Sequence, residues 1–317
     1  MWSTELPLTG PVERAAARPD APAVITAGGE LSYRHLVLHA QEAAAWLRAR
    51  GIGRGDVVGL VMRPGPEQVI GILAAALAGA AYLPVDAGLS AERRGYLLRT
   101  AGVRCLLSNA PGAEPAALPL AGRASQAGPF AVPSADDLAY LRFALDPAGR
   151  TRGVLVRHRD IARVVADCTA RFGVDAGDRF FGVSAFDVDR SVIDVFGALS
   201  VGAAVVLPDV DRAADPDHWL DLCETHGVTV WNSGPAAAAR LFERAAGDPS
   251  RLGTLRLVMV SGDRIPPGLP AALLRLKPDL EVAILDHFHS GPYRSRNLAS
   301  ILSAMCQQGW RPDRNIR

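Results

Sequence analysis

Short apolar runs of strand character alternate with longer segments of helical periodicity along most of this chain. In the first cycle, one set of apolar residues recurs at helical spacing, namely Leu36, Ala40, Ala43, Ala44 and Leu47. Gly51 ends that helix, and residues 57–61 (VVGLV) then have the composition of a buried strand. Because alternation of this kind is typical of parallel α/β units, the pattern predicts an α/β fold with mostly parallel sheets.

The same cycle continues through the rest of the chain. It predicts further strands at residues 81–83, 104–108, 138–143, 180–183, 203–207, 228–231, 255–260 and 281–285. It predicts further helices at residues 67–78, 91–100, 159–170, 190–199, 219–225, 236–246 and 269–276. A loop rich in Pro, Gly and Ala at residues 109–136 interrupts the cycle and predicts an internal boundary.

Residues 286–317 break the alternation. Their apolar side chains form one face of a predicted amphipathic helix, at Leu298, Ile301, Leu302 and Met305. Gly309 ends that helix. We therefore expect an α/β region over residues 1–285 and a divergent tail over residues 286–317.

Charge, hydropathy and cysteine spacing exclude several classes of partner. The formal net charge is +1 and no basic tract is interleaved with aromatics, so we expect no nucleic-acid binding. Gly79 and Pro84 divide the longest apolar run, residues 69–85, so no membrane span is predicted. The N-terminus lacks a signal segment, which predicts a cytoplasmic protein with reduced thiols. The cysteines have no CxxC or His pairing, so no metal site is predicted. The cysteines without metal-ligand spacing are Cys105, Cys168, Cys223 and Cys306.

Residues 144–153, ALDPAGRTRG, follow a predicted strand where a phosphate-binding loop would lie, but their side chains do not suit one. Such a loop needs glycine N–H groups that turn inward and Ser or Thr hydroxyls. Pro147 has no N–H, Asp146 would place a negative charge against a polyanion, and no hydroxyl precedes Thr151. The segment keeps Gly149, Arg152 and Gly153, and its degenerate positions are Ala144, Leu145, Asp146, Pro147 and Ala148.

Five stretches, in this order, resemble the adenylation domains of nonribosomal peptide synthetases, which belong to the adenylate-forming superfamily. They are LSYRHL from Leu31, LAGAAYLPVD from Leu77, SVIDVFGALSVGAAVVLPD from Ser191, VTVWNS from Val228 and LRLVMVSGDRIP from Leu255. The resemblance covers about residues 10–285. It implies two packed α/β subdomains of the large lobe, and we expect the third, barrel subdomain and the C-terminal lobe to be missing.

The resemblance also implies which parts of the family's nucleotide site are lost. The family loop T-S-G-S-T-G-x-P-K-G falls on residues 144–153, with Arg152 in place of its lysine. The Thr-Glu pair whose carboxylate helps to hold Mg²⁺ falls on His289 and Ser290. The ribose-binding Asp motif and the catalytic lysine of the C-terminal lobe are not found, and Lys277 is the single lysine. We therefore predict no catalytic residue and no ATP or Mg²⁺ cofactor.

The amino-acid pocket of the family is less altered. Asp189 falls on the aspartate that pairs with the substrate ammonium group, and the other pocket positions fall on Arg190, Ile193, Asn232, Met259 and Ser261. The segments VTVWNS and SGDRIP resemble those of the subgroup that selects cysteine in thiazoline-forming modules, although Arg190 replaces an apolar residue of that subgroup. Asp189 could equally be the N-cap of the following helix, and backbone hydrogen bonds could satisfy Asn232 and Ser261.

These expectations lead to one leading function and two alternatives. The first is a catalytically inactive adenylation-like domain, a scaffold or contact module in a nonribosomal peptide or hybrid peptide–polyketide assembly line. Its expected partners are a carrier protein and neighbouring synthetase domains, with a homodimer through an exposed C-terminal edge as a further option. The alternatives are an ATP-dependent ligase for a cysteine-like substrate, completed by a lobe in trans, and a module that binds an amino acid without activating it.

Overall fold

The computed structural model describes residues 9–109, 133–145, 151–182, 192–262, 265–284 and 295–296. The strands are β1 (Pro22–Thr26), β2 (Gly29–Ser32), β3 (Val57–Met62), β4 (Ala81–Asp86), β5 (Cys105–Ser108), β6 (Leu138–Leu145), β7 (Thr151–Arg157), β8 (Arg179–Phe181), β9 (Ala204–Val206), β10 (Val230–Ser233), β11 (Leu257–Val260), β12 (Glu281–Ile284) and β13 (Ser295–Arg296). The α-helices are α1 (Thr9–Ala17), α2 (Tyr33–Arg48), α3 (Pro66–Ala78), α4 (Ala91–Thr100), α5 (His158–Arg171), α6 (Ala198–Val201), α7 (Pro216–His226), α8 (Pro235–Ala245) and α9 (Leu269–Leu276). A π-helical turn, Ile193–Gly197, precedes α6.

The described residues divide into two compact units. The first comprises described residues of 9–34, 64–66 and 163–284, and the second those of 35–63, 67–162 and 295–296. The boundary predicted at residues 109–136 falls mostly on 110–132, outside the described residues, and stays a prediction. The predicted tail helix also lies outside them.

The first unit contains a seven-stranded sheet in the order β12-β11-β10-β8-β9-β1-β2. Its neighbouring strands are parallel except for the β1–β2 hairpin. Aromatic side chains fill its core, with the ring centroids of Phe181 and Trp231 4.7 Å apart and those of Trp219 and Trp231 5.7 Å apart. Rings at these distances contribute dispersion contacts beyond the apolar area that they bury.

The ends of α7 show how local sequence sets the elements of this unit. The Asp215 carboxylate accepts a hydrogen bond from the Asp217 N–H, and Pro216 occupies the first turn, where its missing N–H is harmless. Gly227 ends the helix with φ +59°, a left-handed conformation that glycine adopts without strain. Both signals are local and can be read from the sequence.

The second unit contains a six-stranded sheet in the order β13-β7-β6-β4-β3-β5. Strands β6, β4, β3 and β5 are parallel neighbours, whereas β7 pairs antiparallel with both β6 and β13. Every residue of α3 from 68 to 78 is buried, as expected for a helix that is almost entirely apolar. Within the part of the chain that the structure describes, no helix combines the length and apolarity needed to cross a bilayer.

The elements follow the sequence prediction closely but not completely. Helices α3 and α9 lie where the periodicity places them, and the strand predicted at 138–143 extends to Leu145. The described part of the helix predicted at 190–199 starts with a π-helical turn rather than a regular α-helix. The hairpin β1–β2 and strand β7 are not predicted from the sequence.

Candidate functional site

The π-helical turn places a carboxylate inside the first unit. Asp194 is 2% exposed, and its Oδ1 accepts a hydrogen bond of 2.8 Å from Nδ2 of Asn232, which is fully buried. A carboxylate in an apolar interior is costly unless it is hydrogen-bonded, so this contact with Asn232 stabilises the placement. Asp194 is not among the pocket positions predicted from the sequence, although an acid inside the apolar run SVIDVFG is a signal that could have revealed it.

Four predicted pocket positions belong to this neighbourhood. Ile193 directly precedes Asp194 in the π-helical turn, and Asn232 lies opposite Met259 in the register of β10 and β11. The backbone N–H of Ser261 donates to the Ser233 carbonyl oxygen at 3.1 Å, which continues that pairing past the end of β11. Ligands of open parallel sheets bind at the carboxyl ends of strands, and the positions on β10 and after β11 meet at such ends.

A chain of hydrogen bonds fixes the end of β10. The Trp231 indole N–H donates to Ser233 Oγ at 2.7 Å, and the Ser233 hydroxyl donates to the Gly234 carbonyl oxygen at 2.8 Å. Asn232 lies between Trp231 and Ser233, and its side-chain N–H donates a hydrogen bond to the Asp194 carboxylate. The backbone that carries Asn232 is therefore held on both sides by buried groups.

Asp189 and Arg190 lie within residues 183–191, outside the described part of the chain. Neither the pairing of Asp189 with an ammonium group nor its role as an N-cap is tested, and both stay predictions. The same holds for His289 and Ser290, which lie within residues 285–294.

The segment that corresponds to a phosphate-binding loop connects β6 and β7 in the second unit. These strands pair through Phe143 with Gly153, Ala144 with Arg152, and Leu145 with Thr151. Ala144 and Leu145 are thus the last strand residues before the connection, and Arg152 and Gly153 belong to the returning strand. The positions 146–150, which include Asp146, Pro147, Ala148 and Gly149, lie outside the described residues.

Thr151 carries the first hydroxyl after this connection, and a neighbouring helix engages it. The Arg93 guanidinium, from α4, donates from Nη2 to Thr151 Oγ1 at 2.9 Å. Ala144 and Leu145, on the opposite strand, have no hydroxyl to offer. The described side chains therefore do not fit the Ser and Thr hydroxyls that complete a phosphate nest.

The single lysine has a local structural role. Lys277 Nζ donates to Asp279 Oδ2 at 3.0 Å and to the Gly253 carbonyl oxygen at 3.3 Å. Its side chain is 11% exposed, and these contacts fasten the turn between α9 and β12 to the loop after the 3₁₀ turn Pro249–Leu252. Lys277 is thus held at a turn, and it is distant in sequence from residues 144–153.

Two mostly parallel sheets with helices between their strands match the N-terminal lobe of adenylate-forming proteins. The sequence profile described as AMP-binding enzyme matches residues 12–287, and the chain belongs to this family.

Individual relatives agree with that assignment. The chain is 38% identical to pyochelin synthetase PchF of Pseudomonas aeruginosa over 278 residues, which are 85% of this chain and 15% of PchF. It is 34% identical to phenyloxazoline synthase MbtB of Mycobacterium tuberculosis over 288 residues, 89% of this chain and 20% of MbtB. The AMPPNP-bound crystal structure of the nonribosomal peptide synthetase FmoA3 superposes with a TM-score of 0.81 and 37% identity, covering 89% of this chain and 31% of that one.

These similarities confirm the resemblance to adenylation domains and the α/β class with two mostly parallel sheets. The chain spans 15% of PchF and 20% of MbtB, a small part of each relative.

Proposed function

We propose that this chain is an adenylation-like domain that supplies architecture and protein contacts to a nonribosomal peptide or hybrid peptide–polyketide assembly line without activating an amino acid. The observation that carries the proposal is the segment at residues 144–153, which has no hydroxyl at the four Ser and Thr positions of the family's phosphate loop and lacks the first of its three glycines. The first hydroxyl after this connection, that of Thr151, lies outside the Ser and Thr positions of the family loop, and it accepts a hydrogen bond from Arg93.

The chemistry of adenylation explains why this loss matters. Attack of a carboxylate on the α-phosphorus of ATP depends on fixed geometry and on donors that stabilise charge on the phosphate oxygens. Arg152 could attract a phosphate as a cation, but a single guanidinium without a cradle of N–H and O–H donors does not position one. We accordingly infer no ATP or Mg²⁺ cofactor for this chain.

The relatives support the assembly-line setting. Two are named as a pyochelin synthetase and a phenyloxazoline synthase, and the solved one as a nonribosomal peptide synthetase. We infer that a carrier protein and neighbouring synthetase domains are the partners, and that the carrier is charged by another module. A cytoplasmic location follows from the same proposal, and the free thiols of Cys105, Cys168 and Cys223 support it.

Isothermal titration calorimetry of the full chain with ATP and Mg²⁺, with and without amino acids, tests the proposal. We expect no heat of binding, whereas an adenylation domain with an intact phosphate loop, titrated under the same conditions, gives a clear isotherm. Micromolar ATP binding by this chain would contradict the proposal. Pyrophosphate exchange that depends on any amino acid would establish the ligase alternative instead.

A module that binds an amino acid without activating it is the second candidate. The buried pair of Asp194 and Asn232 favours it, because the strand end where the predicted pocket lies keeps an ordered polar group. Thermal unfolding with cysteine and other amino acids measures this binding. A stabilisation by one amino acid that disappears in Asp189→Ala would support the binding module over a pure scaffold.

A further inference from the structure

A groove of about 530 Å³ lies beside β5 in the second unit. Among the described strands β5 pairs with β3 alone, so it forms an edge of the six-stranded sheet. The floor of the groove is apolar and half-buried, and it is built from Trp46, Leu98, Val103 and Leu106. Trp46 comes from α2 and Leu98 from α4, so the groove joins both helices to the strand.

Arginines surround this apolar floor. Arg50, Arg99 and Arg104 line the groove with exposed side chains, and among the described residues that line it none is acidic. The Arg50 guanidinium lies 3.6 Å from the centroid of the Trp46 ring, a cation–π contact that holds the charge above the floor. Arg104 pairs with Asp56 at 2.9 Å, whereas neither Arg50 nor Arg99 forms an ion pair with another described residue. The groove therefore has a positive rim.

Together, the edge strand and the positively charged rim indicate what kind of polypeptide segment would bind in the groove. An edge strand presents backbone N–H and C=O groups that an extended segment can pair with, and such a segment directs alternate side chains to opposite faces. Apolar side chains of the occupant would contact the floor, and carboxylates would meet the guanidinium groups. Tryptophan and arginine are also the residues that contribute most to binding at protein interfaces.

We propose that an acidic, extended segment of a partner polypeptide binds in this groove along β5. The inference rests on the proposed function, in which the chain contacts other proteins of the assembly line, and it places one such contact in this groove. It is independent of ATP binding, so the calorimetric experiment above and the experiment below can fail separately.

The test uses a synthetic ten-residue peptide of alternating Glu and Val, labelled with fluorescein, and fluorescence anisotropy with the full chain. We expect saturable binding that weakens with added salt. The double variant Arg50→Glu/Arg99→Glu should weaken binding by about tenfold or more, since two attractive contacts become repulsive. The matched control, Arg63→Glu/Arg163→Glu, makes the same charge change at exposed arginines outside the groove and should bind within about twofold of the unchanged chain.

A second readout locates the peptide. Cys105 lines the groove and is half-buried, whereas Cys168 and Cys223 are buried. Burial raises the pKa of the Cys105 thiol, with a smaller opposing effect of Arg50, so the alkylation is run at mildly alkaline pH. We expect the Glu-Val peptide to slow alkylation of Cys105 by iodoacetamide several-fold, as measured by peptide mass mapping.

Three results would overturn the proposal. The first is equal binding of a Lys-Val peptide of the same length, which would remove the role of charge. The second is the absence, at millimolar concentration of the acidic peptide, of any binding that protects Cys105. The third is self-association that Arg50→Glu/Arg99→Glu abolishes, because the occupant would then be a second copy of this chain. Thermal melts of both double variants establish that they remain folded.

Discussion

At the scale of single residues, two buried polar features bear on the stability of the fold. Asp194 and Asn232 form a hydrogen-bonded pair across 38 positions of sequence, and both side chains are buried. His158 is a second buried ionisable residue, at the start of α5 in the second unit. The Asp194–Asn232 pair and His158 each lead to a prediction about the stability of the chain that can be measured.

Replacing Asn232 by leucine should lower the free energy of unfolding by about 2 to 4 kcal/mol, because the Asp194 carboxylate loses a buried donor. Urea denaturation measures this change. The double variant Asp194→Leu/Asn232→Leu should cost less than the sum of the single variants, since it removes the carboxylate together with its donor. Additive costs would mean that the two side chains are not energetically coupled.

Stability should fall in mild acid because of His158. Burial lowers the pKa of His158 from 6.5 to about 4, with a smaller opposing effect from the Asp137 carboxylate. The unfolded chain therefore takes up the proton first. The contribution of neutral His158 to the free energy of unfolding is fully present above pH 6.5. It is lost as the pH falls towards 4, by at most about 1.4 kcal/mol per pH unit.

Urea denaturation of His158→Gln between pH 7 and pH 5 checks this prediction. The variant should lose less stability over that range than the unchanged chain does. The control His35→Gln alters an exposed histidine and should follow the unchanged chain. Parallel pH profiles for the unchanged chain and His158→Gln would contradict the assignment.

At the scale of elements, helix ends and hairpins decide which segments face each other. Gly227 ends α7 in the left-handed region with φ +59°, just before the chain enters the strand β10. The hairpin of β6 and β7 brings Leu145 opposite Thr151, at the two ends of the segment that corresponds to a phosphate loop. The sequence suggested the first feature, because glycine after a helix is a common signal. It did not suggest β7, whose residues Arg152 and Gly153 interrupt the apolar pattern.

Gly227→Ala should destabilise the chain by about 1 kcal/mol, because a Cβ disfavours the left-handed conformation. The nearest atom to that Cβ is Thr254 Cγ2 at 3.8 Å, so the expected cost is conformational rather than steric. Gly247→Ala is the matched control, since a Cβ there meets nothing within 4 Å and the backbone is not left-handed. Equal melting temperatures of the two variants would contradict the prediction.

At the scale of the whole molecule, two α/β units share one chain, and each has its own sheet. Positions that resemble the amino-acid pocket lie in the first unit, and positions that resemble the phosphate loop lie in the second. Membership of the AMP-binding enzyme family accounts for this architecture, whereas the substitutions within residues 144–153 set the proposed function apart from it. Architecture and chemistry are thus separable properties of this fold.

Removing residues 294–317 should make the chain aggregate. Strand β13 pairs antiparallel with β7, through Ser295 with Val154 and Arg296 with Gly153, so its loss uncovers an edge of the six-stranded sheet. Static light scattering and size-exclusion chromatography measure the effect. A shorter deletion, of residues 300–317, keeps β13 and serves as the control. A soluble and equally stable chain without residues 294–317 would show that this edge needs no cover.

The sequence alone determined the fold class and most of the regular elements, and it predicts the loss of the phosphate-loop chemistry. These features depend on local periodicity, on glycine and proline, and on residue types within a short segment, all of which can be read along the chain. The pocket positions Ile193, Asn232, Met259 and Ser261 came from resemblance; all four lie in the first unit, and their role in a pocket stays a prediction.

Only the tertiary structure decided that Asp194 meets Asn232, that Arg93 engages Thr151, and that Trp46 and Arg50 lie beside the free edge of β5. Each of these contacts joins residues from separate elements. Which strands become neighbours, and which helix lies over them, depends on burying apolar surface across the whole unit rather than on any local pattern. For that physical reason the altered loop could be found in the sequence, whereas the groove could be found only in the folded chain.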